Sequence, residues 1–225
     1  MPRAAFAVGI TAAGGRLWAA YAHPVDRRGW LAVVDPRTGR TRVLPVGAAP
    51  VAISTAGAGV LVVGRDGSLW RARDGRVRRI VAGAKRVRSA DQADTVWILT
   101  DTGVLQRFGS ARGVQLGPGA PRAVVAGSRG VWVSGGCGRS LAWLASGARR
   151  VACTPVAARI LDAWGRTAWA VEGRSGLVRL RDGTPVGRCR LPFDPTAVAA
   201  GPRGVWLSSE TGAVLRVTER SCVAG

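Results

Sequence analysis

The 225-residue chain has one histidine, one methionine, one tyrosine and three phenylalanines. Its lone histidine, His23, and its only glutamates, Glu172, Glu210 and Glu219, form no His-x-His pair and no His/Glu cluster. That excludes the usual zinc sites and most constellations built around a poised histidine base. The four cysteines, Cys137, Cys153, Cys189 and Cys222, contain no CxxC and have too few histidines to complete a zinc set. No run approaches the roughly 18–20 apolar residues of a membrane-spanning helix, and none shows a sustained 3.6-residue period. Acidic residues are scarce, 13 Asp+Glu against 33 Lys+Arg, for a net charge of +20. Lysine is nearly missing too, Lys85 being the single one. A field of this sign draws anions: nucleic acid, acidic lipid, anionic glycan or an acidic protein. A genome that favours arginine codons explains the scarcity of lysine but not the scarcity of acid.

What the chain does have is repetition. A short apolar strand recurs around Trp18, Leu61, Trp97, Trp132, Trp169 and Trp206, at steps of 43, 36, 35, 37 and 37 residues. A period of that size marks one supersecondary unit copied along the chain. Each copy reads as four short strands. The first is rich in small residues, at 5–11, 50–55, 85–90, 121–127, 157–163 and 195–201. The Trp strand follows, then a third and a fourth, the last of them at 221–225. The third-to-fourth turns Asp35-Pro-Arg-Thr-Gly39, Arg73-Asp-Gly75 and Arg181-Asp-Gly183 supply Asp and Gly where φ must turn positive. Such units cannot cover both faces alone, and radial stacking covers them while leaving only short edges. The expected fold is all-β, a single six-bladed β-propeller of four-stranded antiparallel blades. The blades fall at approximately 1–48, 49–84, 85–120, 121–155, 156–193 and 194–225. The N-terminal residues then form the inner strand of blade 1 and are not a leader.

This frame assigns roles to particular residues. Trp18, Trp97, Trp132, Trp169 and Trp206 share one position and are expected in the core. Trp30, Trp70, Trp143 and Trp164 are off register and freer to meet a ligand. Strand four of a blade ends near its second-to-third-strand loop, which predicts a Cys137–Cys153 bridge; buried thiols throughout are the alternative. Asp91, Asp94 and Asp162 read as turn residues. Ahead of the Trp strand sit Arg16, Arg129, Arg166 and Arg203, a partial ring at one mouth. Where inner strands begin sit Lys85, Arg86, Arg122 and Arg159, at the opposite mouth. These eight are the candidate ligand-binding residues; the bland alternative is that exposed turns simply tolerate arginine. The densest basic patch spans Arg65, Arg71, Arg73, Arg76, Arg78, Arg79, Lys85, Arg86 and Arg88.

The stretch from Val34-Asp-Pro-Arg-Thr-Gly39 to Pro50-Val-Ala-Ile53 resembles the YVTN/YncE-like propeller repeat. Pro195-Thr-Ala-Val-Ala-Ala-Gly-Pro-Arg-Gly-Val-Trp206 is similar to the repeat of the virginiamycin B lyase (streptogramin lyase) group. The resemblance implies a propeller, and it does not carry over the lyase activity, whose histidines and glutamate have no counterparts here. Gly67-Ser-Leu-Trp70 through Gln106-Arg107 is also similar to tectonin-type lectin repeats, which bind sugars. The expected function is therefore a non-catalytic binding or scaffold propeller that recognises an anionic partner: an acidic protein, a glycan or an envelope polymer. A carbohydrate-binding lectin is the alternative, and a lyase-type enzyme is disfavoured. No metal, cofactor or specific nucleic-acid motif is expected, and the chain is expected to be a monomer. It reads as cytoplasmic as written, or extracytoplasmic if a signal precedes it.

Overall fold

The computed structural model describes the chain apart from residues 1–4, 26, 82–86, 93–95, 111, 118, 120, 147–150 and 219–225. Blade 1 consists of β1 (Phe6–Ala13), β2 (Arg16–Ala22), β3 (Gly29–Val34) and β4 (Thr41–Val46). Blade 2 has β5 (Pro50–Ala56), β6 (Gly59–Gly64), β7 (Leu69–Arg73) and β8 (Arg76–Val81). Blade 3 has β9 (Val87–Gln92), β10 (Val96–Thr100), β11 (Val104–Arg107) and β12 (Gly113–Gln115). Blade 4 has β13 (Ala123–Gly127), β14 (Gly130–Cys137), β15 (Ser140–Ala145) and β16 (Ala152–Thr154). Blade 5 has β17 (Ala158–Trp164), β18 (Thr167–Glu172), β19 (Gly176–Arg181) and β20 (Thr184–Arg190). Blade 6 has β21 (Pro195–Gly201), β22 (Gly204–Ser209) and β23 (Val214–Val217), and its expected fourth strand at 221–225 lies outside the described residues.

Strands pair in chain order within each sheet, and the described residues contain no helix. The architecture is an all-β, six-bladed β-propeller. Contacts group it into two compact units, Met1–Thr102 with Arg107–Ser110, and Gly103–Gln106 with Ala111–Gly225.

Turn chemistry sets the blade hairpins. Arg73 pairs with Arg76 across Asp74-Gly75, and Arg181 with Thr184 across Asp182-Gly183. The φ values are 52° and 75° in the first turn and 47° and 86° in the second, as a two-residue hairpin with right-handed strand twist requires.

In both units the Trp-strand anchor faces the following blade. Trp18 packs with Val60 and Val62, and Leu61 with Val87 and Ile98. In the second unit Trp132 packs with Leu161 and Ala168, and Trp169 with Val205 and Leu207. Trp206 departs from the expected core role, since it is 51% exposed. Trp143 departs in the other direction: it is buried, its ring 4.2 Å from that of Trp132. Trp70 is held too, donating from Nε1 to Ser68 Oγ at 2.7 Å.

Polar side chains join neighbouring inner strands where small residues bring them close. Thr11 and Thr55 hydroxyls lie 2.8 Å apart, and Ser54 Oγ donates to Ala90 O at 2.8 Å. In the second unit Asp162 accepts at Oδ2 from Ala200 N–H at 2.8 Å and at Oδ1 from Ala163 N–H at 2.8 Å. Asp162 is thus a blade-to-blade tie within β17, correcting its reading as a turn residue. Burial lifts its carboxyl above the ordinary carboxylate range, against the lowering effect of the Ala200 and Ala163 N–H bonds. Cys137 and Cys153 form a disulfide, with Cα atoms 5.8 Å apart. Cys189 is also disulfide-bonded, and Cys222 lies outside the described residues.

Candidate functional site

Three consecutive blades of the second unit carry one turn in common. Gly127 pairs with Gly130 across Ser128-Arg129, Trp164 with Thr167 across Gly165-Arg166, and Gly201 with Gly204 across Pro202-Arg203. Arginine is the second turn residue each time, and all three are exposed. The turns adjoin: Ser128 N–H donates to Gly165 O at 2.7 Å. A Cβ on Gly127 would meet that same oxygen at 2.6 Å, so only glycine lets the blade 4 turn sit there. The Asp162–Ala200 bond ties the strands that lead into the blade 5 and blade 6 turns.

Arg16 does not share this position. Ala13 pairs with Arg16 across Gly14-Gly15, which places Arg16 one residue further on, as the first residue of β2 in the first unit. Arg129, Arg166 and Arg203 thus share one hairpin position in the second unit, and Arg16 takes the next position of its own hairpin in the first.

The row is not uniformly charged. Arg166 Nε donates to Asp182 Oδ2 at 3.0 Å, and its Nη2 pairs with the same carboxylate. That hydrogen bond pulls the Asp182 carboxyl below its ordinary range; the charges of Arg166, Arg129 and Arg181 add to it against a smaller effect of burial. The same bond lifts Arg166. Among the described residues the Arg129 and Arg203 guanidiniums have no ion pair. Trp164 stands in this row 55% exposed, the most exposed of the tryptophans. In blade 6, Arg216 stacks 5.6 Å from the Trp206 ring and donates from Nη2 to Arg203 O at 3.3 Å. An exposed indole on turns that carry exposed guanidiniums offers an apolar face and positive charge in one row. Arg216 and Asp182 escaped the sequence reading. Only the Trp164-Gly165-Arg166 alignment with Ser128-Arg129 and Pro202-Arg203 pointed this way.

The other predicted mouth is weaker. Lys85 and Arg86 lie outside the described residues. Arg122 is exposed. Arg159 is the extra residue of a bulge between Ala158 and Ile160, and it pairs with Asp194 and donates to Pro195 O at 2.7 Å. A bulge re-aims the side chain it carries, here onto the entry to blade 6, which leaves Arg159 already engaged. In blade 2 the arginines face each other across β7 and β8, Arg71 opposite Arg78 and Arg73 opposite Arg76. Arg73 pairs with Asp74 at 3.1 Å, and Arg79 lies 5.8 Å over Trp70. Among the described residues no group of three or more His, Cys, Asp or Glu is placed to hold a metal ion.

No protein-family model matches the chain, and no curated protein matches it. Solved structures share its fold. A chain of the mitotic checkpoint complex superposes with a TM-score of 0.73 at 12% identity, over 97% of this chain and 80% of that one. BBS1N, solved in complex with ARL6DN, gives 0.69 at 13% identity, again over 97% and 80%. The Pan2 WD40 domain of Neurospora crassa gives 0.65 at 11% identity, over 92% and 86%. A putative 6-phosphogluconolactonase from Bacteroides uniformis gives 0.59 at 15% identity, over 93% and 82%. The chain is a propeller with WD40-like neighbours, and at these identities the likeness is one of fold.

Proposed function

We propose that this propeller is a non-catalytic binding or scaffold module that takes an anionic partner on the arginine turns of blades 4, 5 and 6. The observation that carries the reading is the exposed arginine at one turn position in three adjoining blades. WD40-like neighbours are in keeping with a partner-binding role, and the Val34–Ile53 and Pro195–Trp206 segments favour a YVTN/YncE-like or virginiamycin B lyase-like ancestry without the lyase chemistry. An acidic polypeptide, fluorescein-labelled poly-L-glutamate, tests it by anisotropy at increasing salt. Exposed pairs contribute about 0.2–1 kcal/mol each. Replacing Arg129, Arg166 and Arg203 together by Gln should weaken binding by about 3- to 150-fold at low salt, and affinity should fall as salt screens the charges. A charge-matched triple, Arg76→Gln with Arg78→Gln and Arg79→Gln, should lose clearly less. Equal losses for the two triples, or indifference to salt, would refute the reading.

A second reading is supported by the exposure of Trp164, whose indole is free to stack on a sugar ring. A sugar ligand would quench or shift tryptophan emission in the wild type and leave Trp164→Phe unchanged, with little response to salt.

A further inference from the structure

The second-to-third-strand loop of blade 4 and its outer strand meet at the end of the blade away from the arginine turns. Cys137 closes β14 opposite Ser140, and Cys153 in β16 lies opposite Ala142. Pairing shifts between Val133 and Cys137, so Ser134-Gly135-Gly136 arches out of the β14–β15 ladder. Gly135 and Gly138 take φ of 70° and 65°, and Gly138 bridges to Gly119. A Cβ on Gly119 would lie 2.7 Å from both Gly135 O and Gly138 O, so backbone passes against backbone here. The arch leaves a cavity of about 530 Å³ walled by Gly117, Gly138, Thr154, Pro155 and both cysteines. Ser140 and Val151 line it as well. Cys153 is exposed and Cys137 half-buried. At the other disulfide Cys189 is half-buried and packs against the core cluster of Trp169, Leu177 and Leu191, whereas Cys153 is exposed.

We propose that Cys137–Cys153 is a thiol-exchange site, at which a small anionic thiol of the glutathione class enters the cavity and modifies Cys153. The incoming thiolate attacks Sγ of Cys153, the more exposed residue of the pair. The bond to Cys137 Sγ breaks, the electron pair leaves on Cys137 as a thiolate that takes a proton from water, and Cys153 is held as a mixed disulfide. A second thiol attacks the small-molecule sulfur of that mixed disulfide and releases Cys153 as a thiol. Two glutathiones become one glutathione disulfide while the protein gains two electrons and two protons. Access decides the rate of such exchange, and exposed disulfides are the labile ones. The net charge of +20 raises the local concentration of an anionic thiol. This site is independent of the arginine turns.

The test is a titration of the intact protein with reduced and oxidised glutathione, followed by alkylation and peptide mass measurement of all four cysteines. The Cys137–Cys153 pair should be half-reduced at a glutathione concentration at least about tenfold below that required by the Cys189 disulfide. Cys137→Ser should take up one glutathione on Cys153 at least about ten times faster than Cys153→Ser takes one up on Cys137, because access to sulfur sets the rate. Reduction of the Cys189 disulfide first or at the same concentration would overturn the proposal, as would equal rates for the two variants. The wild-type titration decides the matter without the variants.

Discussion

Trp132 and Trp206 hold the same place in the repeat and differ in environment, so paired truncations measure what the position contributes. Trp132 is fully buried between blades 4 and 5 and packs on Trp143 at 4.2 Å. A buried tryptophan removes about 150–250 Å² from water, worth roughly 4–6 kcal/mol at about 25 cal/mol per Å². Its Nε1 has no acceptor among the described residues, and deleting that group relieves part of the loss, by about 1–3 kcal/mol. Trp132→Ala should therefore cost about 3–5 kcal/mol, the range seen for large core truncations. In a chain of this size that is a fall in Tm of about 6–20 °C. Trp132→Phe keeps the apolar contact and drops the unpaired N–H, so it should cost about 1–2 kcal/mol. Trp206 is 51% exposed, and its truncation leaves no enclosed hole; Trp206→Ala should cost about 1–2 kcal/mol through lost area and the Arg216 stack. Trp18 gives an internal check, since its Nε1 donates to Ala13 O at 3.1 Å. Trp18→Phe orphans that carbonyl and should cost more than Trp132→Phe. Equilibrium urea unfolding at constant m-value reads all four. Equal losses for Trp132→Ala and Trp206→Ala would refute the argument that the anchor acts by covering the next blade.

Asp162 makes stability depend on pH. Burial raises its carboxyl above the ordinary 3.8, so the folded chain holds that proton more tightly than the unfolded chain. Its contribution is therefore present below the ordinary carboxylate pKa and is lost as pH rises through the raised folded value. Between about pH 4 and neutrality wild-type stability should fall relative to Asp162→Asn; parallel curves in urea unfolding would contradict this. Replacing Cys137 and Cys153 together by Ser should destabilise the protein by about 3 kcal/mol, the chain-entropy value for a loop of this length, given their sequence separation of 16. Calorimetry checks it, and an unchanged Tm would mean that the bridge constrains nothing.

The sequence reading and the structure part at identifiable places. The hairpins at Asp74-Gly75 and Asp182-Gly183 were legible because positive φ selects particular residues locally. The Cys137–Cys153 pairing was legible because strand order within a meander brings the two positions together. Trp143 and Trp206 were misjudged because burial depends on the neighbouring blade, which the repeat phase does not report. Asp162 was misjudged because its acceptors' partners include Ala200, in the next blade. The arginines were visible as a pattern, but their pairing was not: Asp182 lies 16 residues from Arg166 and Asp194 lies 35 residues from Arg159.

Period, turn residues and the spacing of apolar strands settle how many blades the chain builds and where each begins, because these are local preferences summed over short segments. Which arginine keeps its charge open, which tryptophan meets water and which sulfur a thiol can reach depend on side chains brought together from distant segments. Those outcomes follow from packing and electrostatics between blades, which no single repeat encodes.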